Sequence, residues 1–501
     1  MIMWSTRALQ LGKTNFADDY RIAEGTEWYY EPEALGSETE EYDVALVDRS
    51  LSEEECHFLN RLVRAHCLFI LSDQPQTPAM AWLLRCRAGR TLERAELAEF
   101  LAERVRNFYG KPYGEKYDPH AMSISGDFHG TVRWNGYTEL ILHGDFGAAM
   151  DQIVCWRNSI PVENGQAIDL WLEYQKDPDV HIELDVVLFK PGSIAEMQRR
   201  WRFSEEEMQS VVRIENTGAS GPIFVALNAS GSGKLRLTAL HDRYSRRGEG
   251  AFFPGSERLV TKDREEAFSY FDPGDRKPPL CVYFSGYRTQ EGFEGYRMMR
   301  RMGCPFLLIS DARLEGGAFY LGSEEYEAAI RDAIQRAMKE LQFGRENLVL
   351  SGLSMGSFGA LYFGTMLQPK KIIVGKPLVS LGDVAEAERL QRPGGFPTSL
   401  DVVWKSFHAL DRQALDAMNA RFWSRFDRTD WSDTSFIVAY MIEDDYDRTG
   451  YERLLRHIES NGSKIIGKGL HGRHNDDTSG IVHWFVSQYH RILSQDYGRN
   501  S

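Results

Sequence analysis

The stretch 347–359 constrains this chain more than any other. Residues 348–350 are an apolar run with the character of a buried strand. Gly352, Ser354 and Gly356 form a G-x-S-x-G motif, and 358–363 can run as a helix. Strand, sharp turn and helix is the context of a nucleophile elbow, in which a serine hydroxyl is held clear of a sheet. Glycines on either side of the serine let the backbone turn without Cβ clashes. Gly359 and Ala360 then allow the helix to pack close to the strand. The same motif also occurs in ordinary Gly/Ser turns, so the rest of the chain has to supply the partners.

From about residue 265, apolar runs at 280–285, 305–310, 347–351, 371–375, 435–441 and 464–467 alternate with helical segments. One of these, 324–341, has Ser323 as its cap and acids in its first turn. Continuous apolar strands alternating with helices predict a mostly parallel sheet covered on both faces. Six strands with the serine after the third fit the α/β-hydrolase order, with two preceding strands missing or supplied elsewhere.

In that order a triad runs Ser, Asp/Glu, His, each on a loop that leaves the sheet. Behind 435–441 come Glu443, Asp444, Asp445 and Asp447, and behind 464–466 come His471 and His474. Each residue type falls on the loop that requires it, a far more specific signal than the elbow alone. The expected nucleophile is Ser354, with His474 as base and Asp444 orienting it. Glu443 is the next choice of acid, ahead of Asp445 and Asp447, and His471 is the alternative base. Residues 475–479 can cap a last helix at 481–492. The oxyanion hole should use the backbone N–H of Met355, at a helix start, and that of Tyr287, with Gly286 as the alternative. A glycine-rich charged loop follows 305–310, with Asp311, Arg313, Gly316, Gly317 and Tyr320. It is either a substrate-holding loop at the carboxyl edge of the sheet or a surface loop with a local Asp311–Arg313 pair.

Upstream, short alternating runs at 130–135, 138–143, 168–174, 182–189, 223–228 and 235–240 predict an antiparallel β-sandwich. Trp134, Trp156, Trp171 and Trp201 lie within it, either as a sugar-stacking platform or as core filling. Gly248, Gly250, Pro254 and Gly255 look like a linker. Nearer the start, 42–48 resembles a strand. Ser52 and Glu55 form a capping box for a helix burying Phe58, Leu59, Leu62 and Val63, and 92–108 reads as a second amphipathic helix. The expected division is an N-terminal α/β segment at 1–125, a carbohydrate-binding-like sandwich at 126–250 and an α/β-hydrolase-like domain at 265–501. A chain of 501 residues exceeds what one core usually supports.

The formal net charge of −14 and the lack of a basic tract argue against nucleic acid as a partner. No apolar run is long enough to span a bilayer, and residues 1–7 lack a basic-then-apolar leader pattern. Six cysteines without a C-x-x-C pair read as reduced, buried thiols, with no metal site expected.

Five segments together resemble a known family: 285–288 (SGYR), 291–299 (EGFEGYRMM), 311–322 (DARLEGGAFYLG), 351–356 (SGLSMG) and 472–476 (GRHND). That family is the second accessory secretory protein of the accessory Sec system, which exports serine-rich repeat glycoprotein adhesins. The likeness is strong over 265–495 and looser upstream, where 240–246 (LHDRYSR) carries it. It implies an O-acetyltransferase acting on N-acetylglucosamine of the adhesin, with no bound cofactor and an acetyl donor of unknown identity. It also implies partnership with the first and third accessory secretory proteins and the accessory motor ATPase. The location implied is cytoplasmic, with peripheral contact to the inner face of the membrane left open. The family's triad carries over onto Ser354, Asp444 and His474. Its acid is a Glu in part of the family, which keeps Glu443 in view. The rival readings are a carbohydrate esterase and a non-catalytic export scaffold.

Overall fold

The computed structural model describes residues 5–31, 40–193, 195–460 and 462–499, so residues 1–4 of the leader reading lie outside the described part. Among the described residues the chain builds three sheets. The last has eight strands: β1 Glu257–Val260, β2 Glu266–Asp272, β3 Leu280–Phe284, β4 Phe306–Asp311, β5 Leu348–Leu353, β6 Lys371–Gly375, β7 Ser435–Met441 and β8 Lys464–Leu470. Their spatial order is β1-β2-β4-β3-β5-β6-β7-β8. Pairing is parallel from β4 to β8, and β1 and β2 are antiparallel to their neighbours. All six expected strands are present, and the two sought elsewhere precede them directly. The central strands are almost wholly buried because helices cover both faces: β3 and β5 present only buried residues. Helix Glu324–Leu341 has the expected bounds, with the Ser323 hydroxyl accepting the Tyr326 N–H at 3.2 Å.

The middle region corrects the sandwich expectation. Its ten strands form one continuous hydrogen-bonded antiparallel sheet and not two separate ones. Its spine is a single strand, Gly221–Tyr244, whose first half pairs with Val180–Phe189 and whose second half pairs with Ala167–Lys176. It bends at Gly231 and Gly233, whose φ values of 91° and 142° suit glycine. A Cβ at Gly231 would sit 2.0 Å from the Asp179 carbonyl oxygen. The bend lets Ile223, Val225 and Leu227 join Leu235, Leu237 and Leu240 in one core. The four tryptophans form no common platform: Trp156 and Trp171 are buried, Trp201 is half-buried, and Trp134 stands out at 41% exposed. The supposed linker is also packed, with Phe252 and Phe253 buried against Phe268, Tyr270 and Phe293.

The N-terminal region is a five-stranded all-parallel sheet. Ser52 and Glu55 close the expected capping box, on helix Glu53–Leu62. The expected helix at 92–108 is helical only from Arg94, and it passes from tight to wide turns and back to tight ones before ending at Phe108.

Charged seams join the three parts. Arg87 of the first region pairs with Asp272 at 2.9 Å, both fully buried. From the long middle strand, His241 and Arg243 each reach Glu291 at 2.5 Å, on the loop that follows β3, and Arg243 also pairs with Glu266 of β2 at 2.7 Å.

Candidate active site

Ser354 sits between β5 and helix Met355–Leu367 with φ 52° and ψ −118°, a strained conformation for a residue with a Cβ. Its neighbours explain how the turn closes. A Cβ on Gly352 would lie 2.2 Å from the Gly356 carbonyl oxygen, and one on Gly356 would lie 2.0 Å from that of Phe284. Both positions therefore exclude any side chain. Ser357 supports the turn, its hydroxyl meeting the Ser354 carbonyl oxygen and accepting the Leu378 N–H at 3.1 Å.

The loops behind β7 and β8 deliver the partners. Ser354 Oγ lies 2.9 Å from His474 Nε2, and His474 Nδ1 lies 2.8 Å from Asp444 Oδ2. The other Asp444 oxygen accepts the Tyr446 and Asp447 N–H groups at 2.8 and 3.2 Å. The carboxylate is thus held from both ends. His474 is 1% exposed. The Tyr446 ring stacks on it at 4.2 Å, nearly parallel, and Asp445 accepts the His474 N–H at 3.0 Å. The alternatives pair with each other elsewhere: Glu443 meets His471 Nδ1 at 3.1 Å, and their side chains are 51% and 86% exposed. Asp447 faces inward, accepting the Val379 and Ser380 N–H groups at 2.8 Å each. Burial raises its pKa to about 6 against the pull of those two amides.

Met355 opens the elbow helix, where N–H groups have no partner inside the helix. On the loop behind β3, the Gly286 N–H is already donated to Glu294 at 2.6 Å, so the alternative oxyanion donor is engaged. Tyr320 holds that loop from behind, its hydroxyl donating to the Ser285 carbonyl at 2.6 Å. The 311–320 loop is built on local pairing. Arg313 is fully buried, bonded to Asp311 through Nε at 2.9 Å and Nη2 at 2.8 Å, and to Glu265 at 2.6 Å. Asp311 also accepts the Ala318 and Tyr320 N–H groups. Lys376, beside the elbow at the end of β6, is 5% exposed and bonds Thr478 Oγ1 at 3.1 Å. Burial lowers its pKa against the opposing pull of Asp444 and Glu294.

Sequence reasoning missed Glu294, Tyr446 and Asp445 as supports. A signal existed only for Tyr446, an aromatic two positions past the chosen acid. Among the described residues no group of three or more His, Cys, Asp or Glu side chains could hold a metal ion, and no helix is long and apolar enough to cross a membrane.

A serine on a strand–helix elbow, hydrogen-bonded through a histidine to an aspartate at the carboxyl ends of the central strands of a mixed eight-stranded sheet, is the arrangement of α/β proteins with a Ser–His–Asp triad. The chain belongs to the family described as Accessory Sec system GspB-transporter, whose sequence profile matches residues 6–499. It is 36% identical over 504 residues to an accessory Sec system protein of Streptococcus gordonii, covering 98% of this chain and 99% of that one. A Staphylococcus aureus accessory Sec system protein is 41% identical over 387 residues, covering 77% of this chain and 74% of that protein. Among solved structures, a chain of the Glycosylation Associate Protein (Gap123) complex from Streptococcus agalactiae matches with a TM-score of 0.88 at 36% identity, covering 99% of each chain.

Proposed function

We propose that this chain is an α/β-hydrolase-like serine O-acetyltransferase that acetylates N-acetylglucosamine on a serine-rich repeat glycoprotein adhesin, coupled to export of that adhesin by the accessory Sec system. The observation that carries the reading is the unbroken relay from Ser354 Oγ through His474 to Asp444, at 2.9 and 2.8 Å. His474 Nε2 takes the Ser354 proton as the oxygen attacks the donor's acetyl carbonyl, while Asp444 holds the imidazole in the tautomer that accepts at Nε2. The Met355 and Tyr287 amides receive the developing oxyanion. His474 returns the proton to the leaving group, then draws a proton from a sugar hydroxyl whose oxygen attacks the acetyl carbon; the C–Oγ bond breaks, His474 passes the proton to Ser354 Oγ, and the acetylated sugar leaves. The partners in this reading are the first and third accessory secretory proteins, the motor ATPase and the glycoprotein itself. Family membership and the match to the Gap123 complex support the first of these. The location that goes with it is cytoplasmic.

The test is Ser354→Ala with an acetyl donor and unacetylated glycan, scored by mass of the glycan. Transfer is expected to fall by at least ~10⁴-fold, the scale seen when a triad nucleophile is removed. Glycan acetylation that survives the change excludes the mechanism. Deacetylation of acetylated glycan, with no transfer to the bare one, would make the protein an esterase.

A further inference from the structure

A cleft of about 1220 Å³ lies between the N-terminal sheet and the catalytic half. Eight Arg or Lys side chains line it against four carboxylates, in a chain whose formal charge is −14. The four acids are already engaged: Glu40 with Arg7 at 3.0 Å, Glu41 with Arg64 and Arg300 at 3.3 and 3.2 Å, Asp43 with Arg64 at 3.4 Å, and Glu294 with the Gly286 amide. Among the described residues no carboxylate lies within ion-pair distance of Arg61, Arg288, Arg297 or Arg301. Arg288 donates only to the backbone carbonyls of Gln290 and Phe293. The half-buried Tyr296 adds aromatic surface to the same wall, while Phe293 is packed on Phe253 behind it.

The cleft abuts the proposed reaction centre. Arg288 and Glu294 belong to its lining, and they flank Tyr287, the proposed oxyanion donor. Only a ligand long enough to run from Arg61 and Arg301 to Arg288 reaches the loop that would receive the oxyanion. Guanidinium groups bind phosphate with paired, planar hydrogen bonds, and the half-buried Tyr296 offers an aromatic edge beside them.

Resting on the acetyltransferase reading, we infer that this cleft is the acetyl-donor site, and that the donor is an acetyl thioester on a carrier with a phosphorylated nucleotide end. The phosphates sit among Arg61, Arg297 and Arg301, and the thioester arm runs past Arg288 to Ser354. The Ser354 oxygen bonds to the thioester carbonyl carbon as its proton passes to His474. The C–S bond then breaks, and sulfur leaves as a thiol carrying the proton that His474 returns. The product is acetyl-Ser354, ready for the sugar hydroxyl, and no oxidant or reductant enters.

The experiment is calorimetric binding of acetyl coenzyme A, adenosine 3′,5′-bisphosphate and inorganic pyrophosphate to the full chain. Proteins compared are the wild type, Ser354→Ala, the Arg297→Glu/Arg301→Glu pair, Arg61→Glu, and Arg331→Glu as a charge control on helix Glu324–Leu341. Expected are binding to wild type and to Ser354→Ala alike, at least tenfold weaker binding to the cleft variants, weakening by salt, and no effect of Arg331→Glu. Arg61 lies on a different element from the pair, so misfolding of one variant leaves the other to decide. Hydrolysis of p-nitrophenyl acetate by wild type, which needs no phosphate site, tests the triad separately. Ester hydrolysis without binding of any phosphorylated probe overturns the cleft and spares the triad. Probe binding without ester hydrolysis does the reverse. Equal binding by the cleft variants, or retention only on vesicles of anionic phospholipid, overturns the donor assignment.

Discussion

Asp444→Asn is the sharpest perturbation of the relay, because the structure dictates which way the new amide must face. One Asp444 oxygen accepts two backbone N–H groups, from Tyr446 and Asp447. An asparagine has to keep its carbonyl oxygen there, since its NH₂ would otherwise oppose two donors. The NH₂ then points at His474 Nδ1, 2.8 Å away in the native protein. The imidazole must accept at Nδ1 and carry its proton on Nε2, so it can only donate to the Ser354 hydroxyl and not receive from it. Where a triad is locked in the wrong tautomer, turnover falls ~10⁴-fold, equivalent to about 5 kcal/mol of transition-state stabilisation. Shape is conserved and Asp444 is 8% exposed, so the variant should fold like wild type. The assay is pre-steady-state release of p-nitrophenol from p-nitrophenyl acetate, with the acetyl-enzyme followed by intact mass. Glu443→Gln is the comparator. It touches an exposed pair, whose loss is worth little, and should stay within about threefold of wild type. An Asp444→Asn enzyme within tenfold of wild type would refute the reasoning, as would a Glu443→Gln enzyme damaged to a comparable degree.

Gly356→Ala should cost roughly 3 kcal/mol or more and leave little soluble protein, because its Cβ would meet the Phe284 carbonyl oxygen at 2.0 Å. Gly126→Ala, with nothing within 4 Å of the added carbon, is the control, and equal melting temperatures for the two would contradict the packing argument. Stability should also fall at alkaline pH. Burial opposes the charge on His241, but Glu291 and Glu173 outweigh it and lift its pKa to about 9. A histidine raised in the folded state contributes fully below its unfolded pKa of about 6.5 and loses that contribution as pH rises through the folded value. Urea unfolding at pH 6.5 and 9.5 should therefore differ by on the order of 3 kcal/mol, and His241→Gln should flatten the difference. A wild-type curve flat across that range would rule out the charged His241.

The catalytic half was legible because its strands are uniformly apolar and its three chemical residues fall on successive loops of a known order. Strand β2 escaped notice because it begins and ends in acids, Glu266 and Asp272. Both are fully buried, and both are neutralised by arginines contributed from distant parts of the chain, Arg243 and Arg87. The glycines at 248–255 suggested a linker, yet the phenylalanines between them are what pack. Of the N-terminal strands only Val44–Asp48 was read; the others, five residues or fewer except Thr6–Gly12, gave too little periodicity. A sandwich was a fair inference from alternation. Only the bend at Gly231 and Gly233 shows that one strand serves both ends of a continuous sheet. Glu294 and Asp445 act by touching residues that chain order does not predict, so no local pattern announces them, and Tyr446 is marked only by its place two positions past the acid.

The polar seam along the long middle strand has one further consequence. Side chains alternate along a strand, so His241 and Arg243 share a face and Asp242 takes the opposite one. Slide that strand by a single residue and Asp242 would confront Glu291, acid against acid in a dry crevice. Oily surfaces can mate in many offsets, but this one tolerates a single alignment, so the ions act as a key that indexes one half of the molecule against the other.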